Sequence, residues 1–312
     1  MMTHEWEVRE SGPVNVHDRA TSGAPRVCAG IATRGRPAEL ANIVACLRTQ
    51  TLRPTSIIVA CTGPDDVGAL AEADDLSIVF VKPGLTRQRN AILDRVPADT
   101  DYVAFFDDDF VPQTDWLCVV ADAFERDPML ACVTGHVVAD GILGPGLTID
   151  DAKRALAAVR DDTQRWTQDG YSPYGCNMAF RASAVAALRF DERLVLYGWL
   201  EDLDFGARVA QRHGRLVKLG SAVGVHLGVK RGRVSGRRLG YSQVMNPVYM
   251  MAKGTLSRHD ACRQIVRNFA ANMAKSIAPE AYIDRRGRLA GNLIAFVDVL
   301  RGRRTPERAE LL

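Results

Sequence analysis

Short β-rich apolar runs alternate with longer stretches of helical spacing over the first 138 residues, and this alternation limits the fold more than any other feature. "RVCAGIAT" (26–33), "SIIVACT" (56–62), "LSIVFV" (76–81), "DYVAFF" (101–106) and "LACVTGHVV" (130–138) read as strands. Between them, "PAELANIVACLRTQ" (37–50), "TRQRNAILDRV" (86–96) and "DWLCVVADAFERD" (115–127) carry apolar residues at helical intervals. The pattern predicts an α/β fold, a Rossmann-like, mainly parallel sheet with helices on both faces. Sheets of this kind bind ligands beyond the carboxyl ends of their strands.

Several polar groups stand at those ends. "YVAFFDDDFVP" (102–112) drives an apolar strand into Asp107, Asp108 and Asp109. Crowded carboxylates at the end of a buried strand repel one another and resist desolvation. Two arrangements tolerate them. One is a solvated acidic turn, since Asp is a natural turn residue. The other is a bound Mg²⁺ or Mn²⁺, which prefers hard oxygen ligands. Thr33-Arg34-Gly35 and Thr62-Gly63-Pro64 follow the first and second strands in the same way.

From about residue 139 the rhythm changes. A Gly-rich turn and a helix over 148–162 lead to "YGCNMAFRASAV" (174–185) and "FDERLVLYGWLEDLDFGARVAQRHG" (190–214), whose second half reads as a helix opening near Glu201. Glu201 and Asp202 suit a helix start by charge alone. They also adjoin Tyr197-Gly198-Trp199, where a sugar ring can rest on an aromatic face and a carboxylate can accept a hydroxyl proton. Two short strands, around "RLVKLG" and "AVGVHLG", close the region. The second carries His226, a core residue by default and a ligand only beside carboxylates. "KRGRVSGRRLGYSQ" (230–243) reads as a mobile Gly- and Arg-rich loop, followed by a helical tail. In that tail Ile265, Val266, Phe269, Met273 and Ile277 share a stripe flanked by Arg263, Arg267 and Lys275. Such a helix suits either the protein's own core or an anionic lipid surface.

Composition narrows the class. The chain has 312 residues, 47% apolar and 25% charged, as soluble globular proteins do. No window approaches the 18 or so apolar residues of a membrane span, and the first 25 residues lack a signal-peptide stretch. The seven cysteines form no C-x-x-C pair and fit free thiols in a reducing compartment, so a cytoplasmic location is expected. The net charge of +3 hides an asymmetry. Residues 230–312 hold 17 basic against 6 acidic side chains, which leaves 23 against 31 in the rest. A basic end suggests an anionic partner: phosphate, membrane or nucleic acid.

In their order and spacing these segments resemble glycosyltransferase family 2, the inverting enzymes with a GT-A fold, over residues 26–228. "GIATRGRPAELANIVACLRTQTLRPTSIIVA" is similar to the family's opening strand, T-x-x-R-P-like turn, helix and second strand. "GLTRQRNAIL" (84–93) resembles its glycine and A-R-N-like helix start, and "FFDDDFVP" its D-x-D strand end. "GCNMAFRASAV", "FDERL" and "YGWLEDLDFGARV" resemble its acceptor-side segments. The resemblance implies a flexible tail (1–25), a catalytic domain (26–228) and a basic loop with helical extension (229–312). Within the domain it implies a nucleotide half (26–138) and an acceptor half (139–228).

The same resemblance implies roles. Asp107 would contact the ribose or diphosphate of a nucleotide-sugar donor, with Asp108, Thr33, Arg34, Arg87 and Asn90 around it. Asp109 and His226 would hold the divalent cation. Asp202 would be the general base, with Asn177, Trp199 and Glu201 shaping the acceptor pocket. Arg231, Arg233, Arg237 and Arg238 would close over phosphates. The family's usual D-D-G-S is replaced by Cys61-Thr62-Gly63-Pro64, so Thr62 or Arg89 would read the base, with UDP the default. The implied acceptor is a saccharide, free or linked to polyprenyl diphosphate, in bacterial exopolysaccharide or cell-surface glycan synthesis. One sugar would be added per encounter at the inner face of the cytoplasmic membrane, with no nucleic-acid partner. A haloacid-dehalogenase-like phosphatase, a sugar nucleotidyltransferase and a non-enzymatic binding module are the competing readings.

Overall fold

The fold is described from a computed structural model over residues 8–10, 23–160, 165–231 and 234–312. The first half runs β1 (Val8–Glu10), β2 (Val27–Ala32), α1 (Pro37–Arg48), β3 (Ser56–Cys61), β4 (Leu76–Phe80), α2 (Leu85–Leu93), β5 (Tyr102–Asp107), β6 (Phe110–Pro112), α3 (Trp116–Arg126) and β7 (Leu130–Asp140). The second adds α4 (Ile149–Ala157), β8 (Trp166–Asp169), β9 (Asn177–Arg181), α5 (Ala182–Val185), α6 (Glu201–His213) and β10 (Arg215–His226). Helices α7 (Gly236–Lys253), α8 (Arg258–Lys275) and α9 (Arg285–Leu300) follow. The expected strands and helices of residues 26–138 are all present. Within the stretch expected as a tail, Val8–Glu10 pair with β8 at the sheet's outer edge.

These strands form one sheet in the order β1-β8-β10-β7-β9-β5-β2-β3-β4, with β6 paired to β10. β5, β2, β3 and β4 are mutually parallel, and β7 and β10 run parallel to each other. Antiparallel β9 lies between β5 and β7, so those two point the same way. The carboxyl ends of β2, β3, β5, β7 and β10 therefore meet at one edge. Period-two alternation sorts the side chains into two layers. Ile31, Val59 and Phe106 pack under α1 and α3 with Leu40, Ile43, Trp116 and Phe124. Cys28, Ile58 and Phe105 face Ile92 of α2 and Phe205 and Val209 of α6.

Three expectations change. "RLVKLG" and "AVGVHLG" are one strand, because β10 absorbs a bulge between Leu219 and Val223 against β7 without leaving the ladder. The helix expected over 148–162 ends at Ala157. The Gly- and Arg-rich segment is helical from Gly236, where the Ser235 hydroxyl accepts from the Arg238 N–H. Gly236 and Gly240 serve close packing rather than mobility; Gly232 lies outside the described residues. A Cβ at Gly236 or Gly240 would fall 2.5 Å from the Asp284 or 2.1 Å from the Arg288 carbonyl oxygen of the α9 segment.

The stripe on α8 splits in two. Ile265 packs into the cluster around Tyr241 and Val244, and Phe269 meets Phe296 edge-on. Val266, Met273 and Ile277 stay exposed.

Gly224 of β10 lies under the Phe110 ring, where an added Cβ would come within 2.0 Å of the ring. Gly224→Ala should therefore destabilise the chain by about 1–3 kcal/mol, measured by urea unfolding, because the strand end that carries His226 must shift. Unchanged stability would show that Phe110 moves freely.

Candidate active site

The acids at the end of β5 separate by geometry. Asp107 and Asp109 turn toward His226 at the end of β10, and one ligand atom from each of the three lies within 4.8 Å of the others. Asp108 turns the other way. It accepts the Thr33 hydroxyl at 2.7 Å and an Arg36 N–H at 2.8 Å. Burial pushes the Asp108 carboxyl up to about 7, against the pull of Arg36 and Thr33. Asp109 is buried too, but His226, Arg36 and the Val229 N–H (2.7 Å) outweigh that and hold it below its ordinary value.

His226 is the positive counterpart. Burial alone would lower its pKa, yet bonds to Asp109 and Asp140 raise it to about 10. Its Nδ1 lies 2.9 Å from Asp140, which also accepts the Tyr174 hydroxyl at 2.8 Å, so Nε2 is left to face Asp109 at 3.4 Å. Two carboxylates and an imidazole with an oriented second nitrogen are a donor set that fits a divalent cation.

Arg89 links this cluster to the second group of acids. Its guanidinium is fully buried and bonds Asp107 at 3.2 Å, the Gly175 carbonyl at 2.8 Å, and Glu201. Glu201 is buried, and desolvation raises it to about 8 in spite of Arg89. Asp202 is partly exposed. Its oxygens accept the Gly175 and Leu203 N–H groups, each at 2.8 Å, while burial raises its pKa against those donors and Arg89. A Cβ at Gly175 would sit 3.1 Å from Arg89 and 3.2 Å from Asp202, so a larger residue would make these two side chains give by a few tenths of an ångström.

A cavity of about 770 Å³ joins the two groups, lined among others by Asp107, His226, Trp199, Glu201 and Asp202. Two leucines flanking the aromatic run, Leu196 (φ 62°) and Leu200 (φ 68°), adopt left-handed backbone that β-carbon residues rarely take. That local strain presents Tyr197 and Trp199 to the cavity. Trp199 Nε1 and Glu201 Oε2 are buried without a hydrogen-bond partner among the described residues. Such atoms call for a ligand's polar groups.

Other expected site residues sit elsewhere. Thr62 gives both its N–H and its hydroxyl to Asp66 at 2.7 Å, and Arg34 is exposed on the neighbouring turn. Asn90 is buried against Phe190 and Glu192, and Asn177 between Gly135 and Thr134. Arg87 pairs with Glu310, and Arg238 bonds the Glu310 carbonyl; both hold the C-terminal turn. Arg237 is exposed on α7, and Arg231 pairs with Glu39 of α1. Arg233 lies outside the described residues. Sequence reading missed Arg36, Asp66 and Asp140. Arg36 and Asp66 stand just beyond the carboxyl ends of β2 and β3, and Asp140 is the last residue of β7, a placement at the strand ends that would have found them.

A mainly parallel sheet covered on both faces, with acids at its carboxyl edge, defines a GT-A glycosyltransferase fold. The chain belongs to glycosyl transferase family 2, whose model matches residues 28–189, more than half of its length. It is a glycosyltransferase, which sets aside the phosphatase, nucleotidyltransferase and binding-module readings. Comparison with curated protein sequences gives no match. Among solved structures, S. aureus TarS (residues 1–349) superposes with a TM-score of 0.53 at 13% identity, over 92% of this chain and 83% of that one. The mannosyltransferase PcManGT from Pyrobaculum calidifontis, in complex with GDP-Man and Mn²⁺, gives 0.51 at 15% identity, over 96% and 85%. GalNAc-T7 with UDP, GalNAc and Mn²⁺ gives 0.52 at 11%, over 92% and 56%.

The geometry makes a prediction about metal. Mn²⁺ followed by electron paramagnetic resonance should bind the wild-type chain and fail to bind Asp109→Asn. Asp140→Asn should weaken it by about 10–100-fold, because Asp140 only orients His226. Equal Mn²⁺ affinity in wild type and Asp109→Asn would contradict the cluster.

Proposed function

We propose that the chain transfers one sugar, with inversion, from a nucleotide-sugar donor to a saccharide acceptor carried on a lipid in cell-surface glycan synthesis. The observation that carries this reading is the single cavity holding both the Asp107–His226 edge and Asp202. Asp107, Asp109 and His226 would hold Mn²⁺ or Mg²⁺, which when bound neutralises the donor's diphosphate as a leaving group. The Mn²⁺ in two structural neighbours supports this, as do the GDP-Man in one and the UDP in the other. UDP remains the default nucleotide for this chain. In this reading residues 26–138 seat the donor and 139–228 the acceptor.

The residues divide the chemistry. Trp199 Nε1 and Glu201 Oε2 receive acceptor hydroxyls. Asp202, partly exposed and drawn up by burial, takes the proton of the attacking hydroxyl. The hydroxyl oxygen bonds to the anomeric carbon as that carbon's bond to the diphosphate oxygen breaks. The leaving group departs with the electron pair on the far side. Buried Arg89 keeps Asp107 and Glu201 at fixed separation, so donor and acceptor meet in line.

Among the described residues no helix is long and apolar enough to cross a membrane. Exposed Val266 and Met273 on α8, Ile277 just past its end, and Leu293, Val297 and Leu300 on α9 support peripheral attachment, backed by the basic C-terminal region.

Two outcomes follow. Asp202→Asn keeps an acceptor for one of its two backbone bonds but takes no proton. Turnover should drop by about 10²–10⁴-fold with nucleotide affinity near normal. A variant that unfolds yet keeps its rate per folded molecule would assign Asp202 to helix capping instead. The wild-type chain should also sediment with anionic vesicles at low salt and be released as salt rises, since surface attraction is screened within about 10 Å at 0.1 M. Replacing Val266, Met273 and Ile277 by Ser should abolish sedimentation, and retention by this variant would refute the attachment.

A further inference from the structure

The cavity has a wall that the family's matched stretch, ending at residue 189, does not supply. The start of α8 lines it with Asp260, Arg263, Gln264 and Arg267. Arg263 and Arg267 stand one helical turn apart. Arg263 bonds Asp260 at 3.0 Å and Arg267 bonds Gln264 at 2.8 Å. A guanidinium carries five N–H donors, so among the described residues these bonds leave most of each fork unused. Asp260 is already engaged by Ser257, so the pair and this acid leave one net positive charge.

On the other side of Arg263, around the helix, lie the apolar Val266 (65% exposed) and Met273 (52%), followed past the helix end by Ile277 (84%). The buried side of α8 is separate, made by Ala261, Ile265 and Asn272. One helix thus carries three strips in rotation: basic toward the cavity, apolar toward solvent, and packed. Guanidinium forks match phosphate oxygens, and the apolar strip begins where the basic one ends.

Building on the transferase reading, we propose that Arg263 and Arg267 bind the phosphate of a lipid-linked acceptor while its hydrocarbon tail leaves along Val266, Met273 and Ile277. The acceptor class is an amphiphile: saccharide at Asp202, phosphate at the arginine pair, lipid on the exposed face of α8. The apolar strip selects a lipid phosphate over a soluble one. These arginines are therefore specificity-determining residues in the C-terminal extension.

Calorimetry on the full chain tests this, with decyl diphosphate below its micellar concentration as probe and EDTA present to silence the metal cluster. Wild type should bind decyl diphosphate, and Arg263→Ala/Arg267→Ala should bind it about 10–100-fold more weakly, as the loss of charged hydrogen bonds implies. In separate titrations without EDTA, binding of UDP with Mn²⁺ should be the same in both proteins. Inorganic diphosphate should bind wild type more weakly than the decyl ester, and equal affinity would overturn the lipid assignment. Wild type that takes up Mn²⁺ and UDP but binds decyl diphosphate no better than the double variant overturns this inference alone. Wild type that takes up neither metal nor nucleotide overturns the transferase reading and this inference with it.

Discussion

The structure depends on how one sheet edge tolerates its acids. Parallel strands end together at that edge, and the sequence places Asp107, Asp108, Asp109 and Asp140 there. Without opposite charge the cost of burying them would be prohibitive. Arg36 supplies it from within the fold, and so does His226, whose pKa Asp109 and Asp140 raise as long as no cation takes its Nε2 proton's place. Arg36 also bonds the carbonyls of Val229 and Arg231, so the loop leaving β10 is tied to the same carboxylates. The acids and the start of the C-terminal region form one electrostatic unit. A cation entering the Asp107–Asp109–His226 cluster would meet ligands already oriented by Asp140 and Val229.

The second constraint is Arg89. A fully buried guanidinium requires partners on every side, and it finds them in Asp107, Glu201 and the Gly175 carbonyl. Those partners belong to the end of β5, the start of α6 and the turn before β9. One side chain therefore sets the distance between the two acid clusters. Asp204 extends the network outward. It is buried and accepts from Lys253 and Thr255, which anchors the C-terminal helices to α6 and so places α8 against the cavity.

Much of this was legible in the residues. Period-two and helical spacing located the strands and helices up to residue 138, because each buries a complete face. The Asp triplet, the Glu201–Asp202 pair and His226 stood out as polar groups ending apolar runs. The partners that give them meaning did not, since Arg36 and Asp140 act through contacts distant in sequence. Gly236 and Gly240 misled for a physical reason. Glycine marks either a flexible loop or a close helix crossing, and only the position of α9 decides between them. The stripe on α8 likewise held two faces, one packed and one exposed, that helical spacing alone does not separate.

The central claim is that the acids of the sheet edge act as one site for metal and nucleotide together. The most direct measurement is thermal unfolding of the full chain with Mn²⁺, with UDP, GDP or dTDP, and with each pair combined. Ligands that bind only the native state raise its melting temperature in proportion to their occupancy. The account predicts that one nucleotide together with Mn²⁺ raises the melting temperature by more than the sum of the two separate shifts. It also predicts that Asp109→Asn removes this excess. Additive shifts in the wild type, or an excess that survives Asp109→Asn, would contradict it.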